Sequence, residues 1–132
     1  MNRRIARIKT VQALYQIEMT DVDPHEAMQS VLEDGEVISS FFESLVYGTG
    51  KHLEEIDNLI ESVLENWSLT RIARVDRAIL RMAVYEMKYV SEIPISVSIN
   101  EAIDLAKGFT GDEESGKFVN GVLSKLADHL EN

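Results

Sequence analysis

Three arginines close to the amino terminus are the side chains best suited to bind an anion. On a helix that begins here, Arg3, Arg4 and Arg7 fall within an arc of roughly 100°, because each residue turns the helix by about 100°. Such a patch can hold phosphate groups, with Lys9 and Gln12 reaching from flanking positions, and guanidinium groups also stack on unpaired bases. Cations at a helix start oppose the helix dipole, so their presence favours a binding role over an ordinary solvated helix start.

A second basic stripe is predicted on a helix in the middle of the chain, and it consists of Arg74, Arg77, Arg81 and Lys88. For this stripe a structural role is favoured over anion binding, because these cations can form ion pairs with acids of neighbouring helices and hold the helices together. Trp67 and Tyr85 are predicted to belong to the core. For Phe118 two placements stay open, because it lies on the apolar stripe of the last helix but follows Lys117 and a predicted loop, which would leave it partly exposed.

The sequence lacks the common catalytic and metal-binding patterns. The segment Gly48-Thr49-Gly50-Lys51 misses both the earlier glycine and the Ser or Thr after lysine that a Walker phosphate loop requires, so a helix-end turn is predicted there. The histidines are dispersed and are predicted to be solvated surface residues: His25, His52 and His129. There is no cysteine and no G-x-S-x-G motif. We therefore expect no catalytic site, no metal and no cofactor.

The charge distribution is uneven. The net charge of -10 by itself argues against a nucleic acid partner. However, residues 1–20 hold four basic groups against one acid, and residues 67–90 hold five against two. The acids are concentrated in residues 21–66 and 91–132. Two basic islands in an acidic chain indicate a local anionic contact better than the total charge does.

Length and composition predict one globular domain that spans residues 1–132. The 132 residues include 45% hydrophobic and 27% charged residues, which is ordinary for a folded protein. No apolar run approaches the roughly 20 residues of a membrane-spanning helix, and residues 1–9 lack the apolar stretch of a signal peptide. These features predict a soluble, cytoplasmic protein without a membrane partner.

Apolar residues recur every three or four positions, which predicts an all-helical fold. The predicted helices run from Asn2, as a cap, to about Met19; from Pro24 to about Gly35; from Val37 to near Gly48 and Gly50; from about Lys51 to Asn66; and from Thr70 to Val90, with a possible interruption near Val75.

The last third of the chain predicts two more helices. Ser98 and Glu101 have the spacing of a capping box, so a helix is expected to start at Ser98. The glycines and acids of residues 108–116 predict a loop. The final helix is predicted from a stripe of four residues: Phe118, Val122, Leu126 and Leu130. The whole chain is thus expected to form a compact bundle of about six to seven helices.

Several ordered blocks resemble the NusB family of bacterial transcription antitermination factors, from Arg3 to about Leu126. The blocks are Arg3-Arg4-Ile5-Ala6-Arg7, Gln12-Ala13-Leu14-Tyr15-Gln16, Asn66-Trp67, Val75-Asp76-Arg77-Ala78-Ile79-Leu80-Arg81, Tyr85-Glu86, Ile93-Pro94, Ile99-Asn100-Glu101-Ala102-Ile103, Leu105-Ala106-Lys107 and Lys117-Phe118-Val119-Asn120-Gly121-Val122-Leu123. The chain departs from the family pattern by placing Thr110 between Phe109 and Gly111, which lengthens the segment before Lys117 by one residue.

The resemblance implies two small helical halves and a non-enzymatic role. It also implies that the protein binds boxA RNA together with the small-subunit ribosomal protein NusE, and joins RNA polymerase and other Nus factors on ribosomal RNA operons. By position, Arg3, Arg4 and Arg7 would contact boxA. The positions that match the RNA or partner surface are Gln12, Asp76, Glu114, Lys117 and Phe118. Tyr15, with Asp76 and Arg77 of the fifth helix, would serve NusE.

Two other interpretations remain open at the level of the sequence. A protein adaptor would use the apolar or acidic faces to bind helices, and it predicts no affinity for RNA. The other is a stand-alone relative of the RNA-binding domain of ribosomal RNA cytosine methyltransferases. Length argues against a full methyltransferase, which would need a further α/β domain with a glycine-rich cofactor turn beyond these 132 residues. For an RNA-binding protein, a homodimer through the RNA-binding face would be one way to store the protein in an inactive form.

Overall fold

The computed structural model describes residues 1–66 and 68–130, and within them every regular element is helical. The α-helices are α1 (Arg3–Thr20), α2 (Pro24–Ser30), α3 (Ser40–Lys51), α4 (Leu53–Val63), α5 (Arg74–Tyr89), α6 (Ile95–Thr110) and α7 (Glu113–Leu130). A short 3-10 helix, Leu69–Arg71, precedes α5. The predicted all-α fold of six to seven helices is confirmed, whereas Trp67 lies outside the described residues.

The first two helices begin where the sequence predicts. The Asn2 side chain accepts a hydrogen bond from the backbone of Ile5 at 2.8 Å and caps α1. Pro24 is the first residue of α2, where its missing N–H costs nothing. However, α2 ends at Ser30 rather than near Gly35, which instead adopts a positive φ of 81° in a turn. The periodicity continues beyond the helix because loop residues also pack inward.

The third to fifth helices follow the predicted order with different bounds. Ser39 caps α3, so Val37 precedes the helix instead of starting it. Gly48 and Gly50 both lie inside α3, which ends at Lys51, so the turn predicted at the two glycines is helical and the next helix begins at Leu53 instead of Lys51. The interruption predicted near Val75 is present, because the chain leaves the short 3-10 helix before α5 begins at Arg74.

The start of α6 contradicts the predicted capping box. The helix begins at Ile95, directly after Pro94, and Ser98 lies one turn inside it. Ser98 is 2% exposed and donates a hydrogen bond to Glu86 of α5 at 2.8 Å, so its hydroxyl serves a neighbouring helix. The S-x-x-E spacing was misleading because an inward-facing serine can have the same spacing as a cap.

The predicted loop over residues 108–116 is also wrong, since most of it is helical. The α6 helix continues to Thr110, and Gly111 ends it with a φ of 68°. The side chain of Asp112 accepts from the backbone of Glu114 at 3.0 Å, so an acid of the supposed loop stabilises the first turn of α7. A very short connection therefore joins α6 to α7.

Two clusters of buried apolar residues match the two small halves that were predicted. The smaller cluster lies among α1, α2 and α3, and its buried members are Ala6, Ala13, Ala27, Met28, Phe42 and Val46. The larger cluster is built mainly by α4 to α7 and includes Val11 of α1 and Leu45 of α3. Because α1 and α3 supply residues to both clusters, the two halves share a common boundary.

Among the described residues, no helix has the length and apolar character needed to cross a membrane.

The contact between α3 and α5 depends on a glycine. A Cβ atom at Gly48 would overlap the ring of Tyr85, whereas a Cβ at Gly50 would meet no other atom within 4 Å. We expect Gly48→Ala to lower the free energy of unfolding by about 1–3 kcal/mol, because the helices must separate. Gly50→Ala should leave stability unchanged or raise it by up to about 1 kcal/mol, since alanine favours helix. Urea denaturation of both variants measures this difference, and an equal response would contradict it.

Candidate nucleic-acid interface

The start of α1 presents two arginines to solvent. Arg3 and Arg4 are both exposed, and the guanidinium of Arg3 lies 5.3 Å from the centre of the Phe41 ring. Arg4 donates from Nε and Nη2 to the two carboxylate oxygens of Glu101, at 3.3 and 3.2 Å. Two cationic groups are thus held at one end of the molecule, where an anion can reach them.

Arg7 does not belong to this exposed patch, which corrects the predicted arrangement. Its residue surface is 3% exposed, and its Nε and Nη2 donate to the carboxylate of Glu86 at distances from 2.6 to 3.2 Å. Ser98 donates to the same carboxylate, so one buried acid joins α1, α5 and α6. The three arginines do share one side of α1, but α5 packs against that side at Arg7 and buries it.

Lys9 is likewise turned away from solvent. Its ammonium group lies 2.9 Å from a carboxylate oxygen of Glu36 and donates to the backbone carbonyl of Val31 at 2.8 Å. The residue is 7% exposed, so it ties α1 to the segment between α2 and α3. Gln12, by contrast, is exposed on α1 as a flanking contact requires.

A groove of about 350 Å³ runs between the first half of α1 and the part of α6 from Glu101 to Phe109. Its lining residues are Arg4, Ile8, Glu101, Asp104, Leu105, Gly108 and Phe109. Phe109 is 37% exposed, which is high for an aromatic side chain next to a core. The groove combines a cation and an exposed aromatic ring with carboxylates that accept hydrogen bonds, a set suited to an unpaired nucleotide.

Sequence reasoning missed the α6 side of this groove. Glu101 was assigned to a helix cap, and Phe109 was placed in a loop. The only available signal was the spacing of Glu101, Asp104 and Gly108, which puts them on one face of a helix. That face could not be paired with α1 from the sequence, because 97 positions separate Arg4 from Glu101.

The remaining predicted contacts gather around the first turns of α7. Asp76 of α5 accepts a hydrogen bond from Ser115 at 2.5 Å, and burial together with the nearby charge of Asp112 raises the pKa of the Asp76 carboxyl, while the Ser115 bond partly opposes the shift. The exposed ammonium of Lys117 lies 3.4 Å from Glu114. These groups mark a second polar surface, distinct from the groove that contains Arg4.

Phe118 lies next to that surface and is half-buried, which agrees with the partly exposed placement. With Lys117 it lines another groove, of about 300 Å³, that is bounded by Leu64 and Asn66 at the end of α4. A cation and an aromatic ring therefore stand side by side here as well. The predicted nucleic-acid residues are thus dispersed. Arg4 lines the first groove, and Lys117 and Phe118 line the second. Arg7 and Lys9 are held in buried ion pairs, Asp76 is buried beside Ser115, and Arg3, Gln12 and Glu114 are exposed without lining either groove.

Three residues of the basic stripe predicted on α5, namely Arg77, Arg81 and Lys88, pair with acids of neighbouring helices, as the structural role predicts, whereas Arg74 is exposed. Arg77 forms an ion pair with Glu18 of α1 and donates to the backbone carbonyl of Leu69 at 3.1 Å. Arg81 donates to both carboxylate oxygens of Asp57, at 2.8 and 2.9 Å. Because Arg77 is 8% exposed, its predicted partner-binding role would require this pairing to open.

Three other features bear on possible partners. Tyr15 is 38% exposed on α1, so its ring is available to a protein partner. His25 and His129 are exposed as predicted, whereas His52 stacks on the ring of Tyr89 with centroids 4.2 Å apart. Within the part of the chain that the structure describes, no group of three potential ligand side chains could hold a metal ion.

Known proteins are similar to this chain over nearly its whole length. The family model described as the NusB family matches residues 4–128. The transcription antitermination protein NusB of Bacillus licheniformis is 54% identical over 131 residues, which cover 99% of this chain and 100% of that protein. The protein of the same name from Bacillus subtilis is 51% identical over 131 residues, covering 99% and 98% of the two chains.

Solved structures show the same fold. The T. maritima NusB structure superposes with a TM-score of 0.86 at 39% identity, covering 97% of this chain and 92% of that one. A chain from a structure of the antitermination factors NusB and NusE in complex with dsRNA gives a TM-score of 0.85 at 32% identity, covering 96% of each chain. Since the similarity extends over nearly the whole length in both sequence and structure, the chain belongs to the NusB family of transcription antitermination proteins.

Proposed function

We propose that this protein is an antitermination factor that binds boxA RNA together with the ribosomal protein NusE, and helps RNA polymerase and other Nus factors to transcribe ribosomal RNA operons. The observation that carries this proposal is the pair of exposed arginines, Arg3 and Arg4, beside an aromatic-lined groove. Among its relatives, a NusB and NusE complex with dsRNA supports an RNA partner and a NusE partner.

The chemistry of RNA recognition fits the two grooves. Arginine side chains hold phosphate groups, while exposed aromatic rings stack on unpaired bases and polar groups contact base edges. In the first groove, Arg4 supplies the cation and Phe109 supplies the ring, while Arg3 adds a second cation at the same exposed start of α1. In the second, Lys117 and Phe118 supply the same two functions. An RNA strand that spans both grooves would use the exposed residues of each.

The other predicted residues receive narrower roles in this proposal. Gln12 on α1 and Glu114 beside Lys117 are exposed and would form polar contacts with bases. Asp76 is 9% exposed, so its carboxyl would mainly fix the start of α7 through Ser115. Tyr15 would contact NusE. Arg77 would join the surface that contacts NusE once its ion pair with Glu18 opens.

Arg7 and Lys9 would act indirectly. Their charged groups are occupied by Glu86 and Glu36, so they would hold α1 in place rather than touch RNA. The protein would work in the cytoplasm as one non-catalytic unit formed by residues 1–132, without a cofactor. This assignment leaves the recognition of RNA to exposed side chains and the orientation of α1 to buried ones.

Fluorescence anisotropy with a labelled boxA RNA tests the proposal. We expect binding that NusE strengthens, and we expect Arg3→Gln/Arg4→Gln to weaken it roughly tenfold, since each substitution removes a charged hydrogen bond to phosphate. The slope of log K against log salt should become shallower by up to about 0.7 for each phosphate that an arginine no longer neutralises on a single strand. The matched control is Lys51→Gln/Arg71→Gln, which removes two exposed charges from the end of α3 and the 3-10 helix.

The outcomes separate RNA binding from a pure adaptor role. Equally weakened binding in both double variants would show that total charge, not the start of α1, governs affinity. If the wild-type protein is folded by circular dichroism and binds neither boxA nor a scrambled RNA, with or without NusE, the RNA proposal is wrong. The protein-adaptor alternative would then be the better account.

A further inference from the structure

Two arginines that share the start of α1 differ in their electrostatic surroundings. Arg4 faces two carboxylates of α6: Glu101 accepts two hydrogen bonds from it, and Asp104 lies 4.0 Å from its Nη2. For Arg3, in contrast, no ion pair with a carboxylate is found among residues 1–66 and 68–130, and its guanidinium lies over the ring of Phe41. The charge of Arg4 is thus balanced by acids of α6, whereas no carboxylate of the described residues balances the charge of Arg3.

The pairing of Arg4 has the geometry of a planar fork. Both hydrogen bonds run in parallel from the guanidinium to the two oxygens of one carboxylate, which is the arrangement that a phosphate group would also use. The side chain of Glu101 is 19% exposed and that of Arg4 is 64% exposed, so the acid is held in place while the arginine stays reachable. The hydrogen bond and charge of Glu101 raise the pKa of Arg4.

We propose that Glu101 and Asp104 form an internal counter-ion site that RNA phosphate must displace from Arg4, so that α6 lowers the affinity of the α1 patch for RNA. This inference rests on the proposed function, and it adds two acids that no motif assigned to the site. The protein-bound carboxylate and the phosphate compete for the same donors. Binding therefore exchanges one ion pair for another instead of creating a new one.

The exchange predicts a measurable salt dependence. When Arg4 leaves Glu101 for a phosphate, the RNA releases a counterion but the freed carboxylate attracts a cation from solution. The net release of ions from the Arg4 contact is then close to zero. Arg3 has no such acid and contributes the full release. The two arginines should therefore differ in salt dependence although they are neighbours on one helix.

The test is the RNA affinity of Glu101→Gln/Asp104→Asn, measured by anisotropy across several salt concentrations. We expect boxA RNA to bind about two- to fivefold more tightly at low salt, which is the strength of an exposed ion pair. The slope of log K against log salt should steepen by about 0.7. A scrambled RNA should gain to a similar degree, because phosphate contacts carry no sequence information.

Two controls separate displacement from general repulsion of RNA by acids. In an Arg4→Gln background, the same acid substitutions should give less than half of the gain in log K, because no arginine is left to release. Glu61→Gln, an exposed acid on α4, should leave affinity within about 1.5-fold of wild type because salt screens distant charges. Asp104→Asn alone should give a smaller gain than the double variant, and it leaves the Glu101 hydrogen bonds intact.

Each result bears on a different statement. Wild-type protein that binds no RNA overturns the proposed function itself. Wild-type binding that the folded double variant does not strengthen overturns only the counter-ion site. A gain of which half or more persists without Arg4 also overturns it, in favour of simple repulsion between acids and RNA.

Discussion

Replacing Arg7 by alanine is expected to lower the free energy of unfolding by about 3–5 kcal/mol, because the change leaves a buried charge without its partner. Glu86 is 1% exposed, and Arg7 supplies its hydrogen bonds from α1. Ser98 alone would remain as a donor to that carboxylate. Urea denaturation monitored by circular dichroism measures the destabilisation.

Removing both charges should lower the free energy of unfolding less than removing Arg7 alone. In Arg7→Met/Glu86→Leu, apolar side chains of similar size take the place of the pair, and replacements of this kind are often neutral in stability. The exposed neighbour provides a second comparison, since Arg3→Ala should change the free energy of unfolding by no more than about 0.5 kcal/mol. A destabilisation below about 1 kcal/mol for Arg7→Ala would contradict the view that this buried pair needs both partners.

Phe42→Ala is expected to lower the free energy of unfolding by about 3–5 kcal/mol, since it removes the largest fully buried side chain of the smaller cluster. The ring packs among α1, α2 and α3, and its removal leaves a cavity that fixed helices cannot fill. Because α1 and α3 also contribute to the larger cluster, we expect the whole protein to unfold in one transition at a lower temperature. Differential scanning calorimetry reports both the midpoint and the number of transitions.

Tyr47 on the same helix is the matched control for this substitution. It is 44% exposed, and Tyr47→Ala should lower the free energy of unfolding by about 1–2 kcal/mol, less than Phe42→Ala, because much of its surface stays in solvent. Two separate transitions in Phe42→Ala would show that the clusters are independent units. Such a result would contradict the shared boundary described by the structure.

The sequence by itself determined the helices, the start of α1 and the family. Apolar spacing specifies a helix because it repeats along a local element, and Asn2 and Pro24 act on backbone groups only a few residues away. The ends of helices were harder to predict. Val37 continues the apolar pattern of α3 although it lies before that helix. The acids near Gly111 predicted a loop, whereas they lie at the start of α7. Local sequence signals predict that a helix forms, but the residue at which it ends also depends on the packing of neighbouring elements.

Only the tertiary structure decided which cations of the predicted patch are free. A helical arc gives the direction of Arg4 and Arg7 relative to each other, but it does not say which helix lies opposite. Their acids are Glu101 and Glu86, which are 97 and 79 positions away in the chain. Since ion pairing depends on distances created by the packing of α5 and α6 against α1, the exposure of each arginine is a property of the fold and not of its spacing.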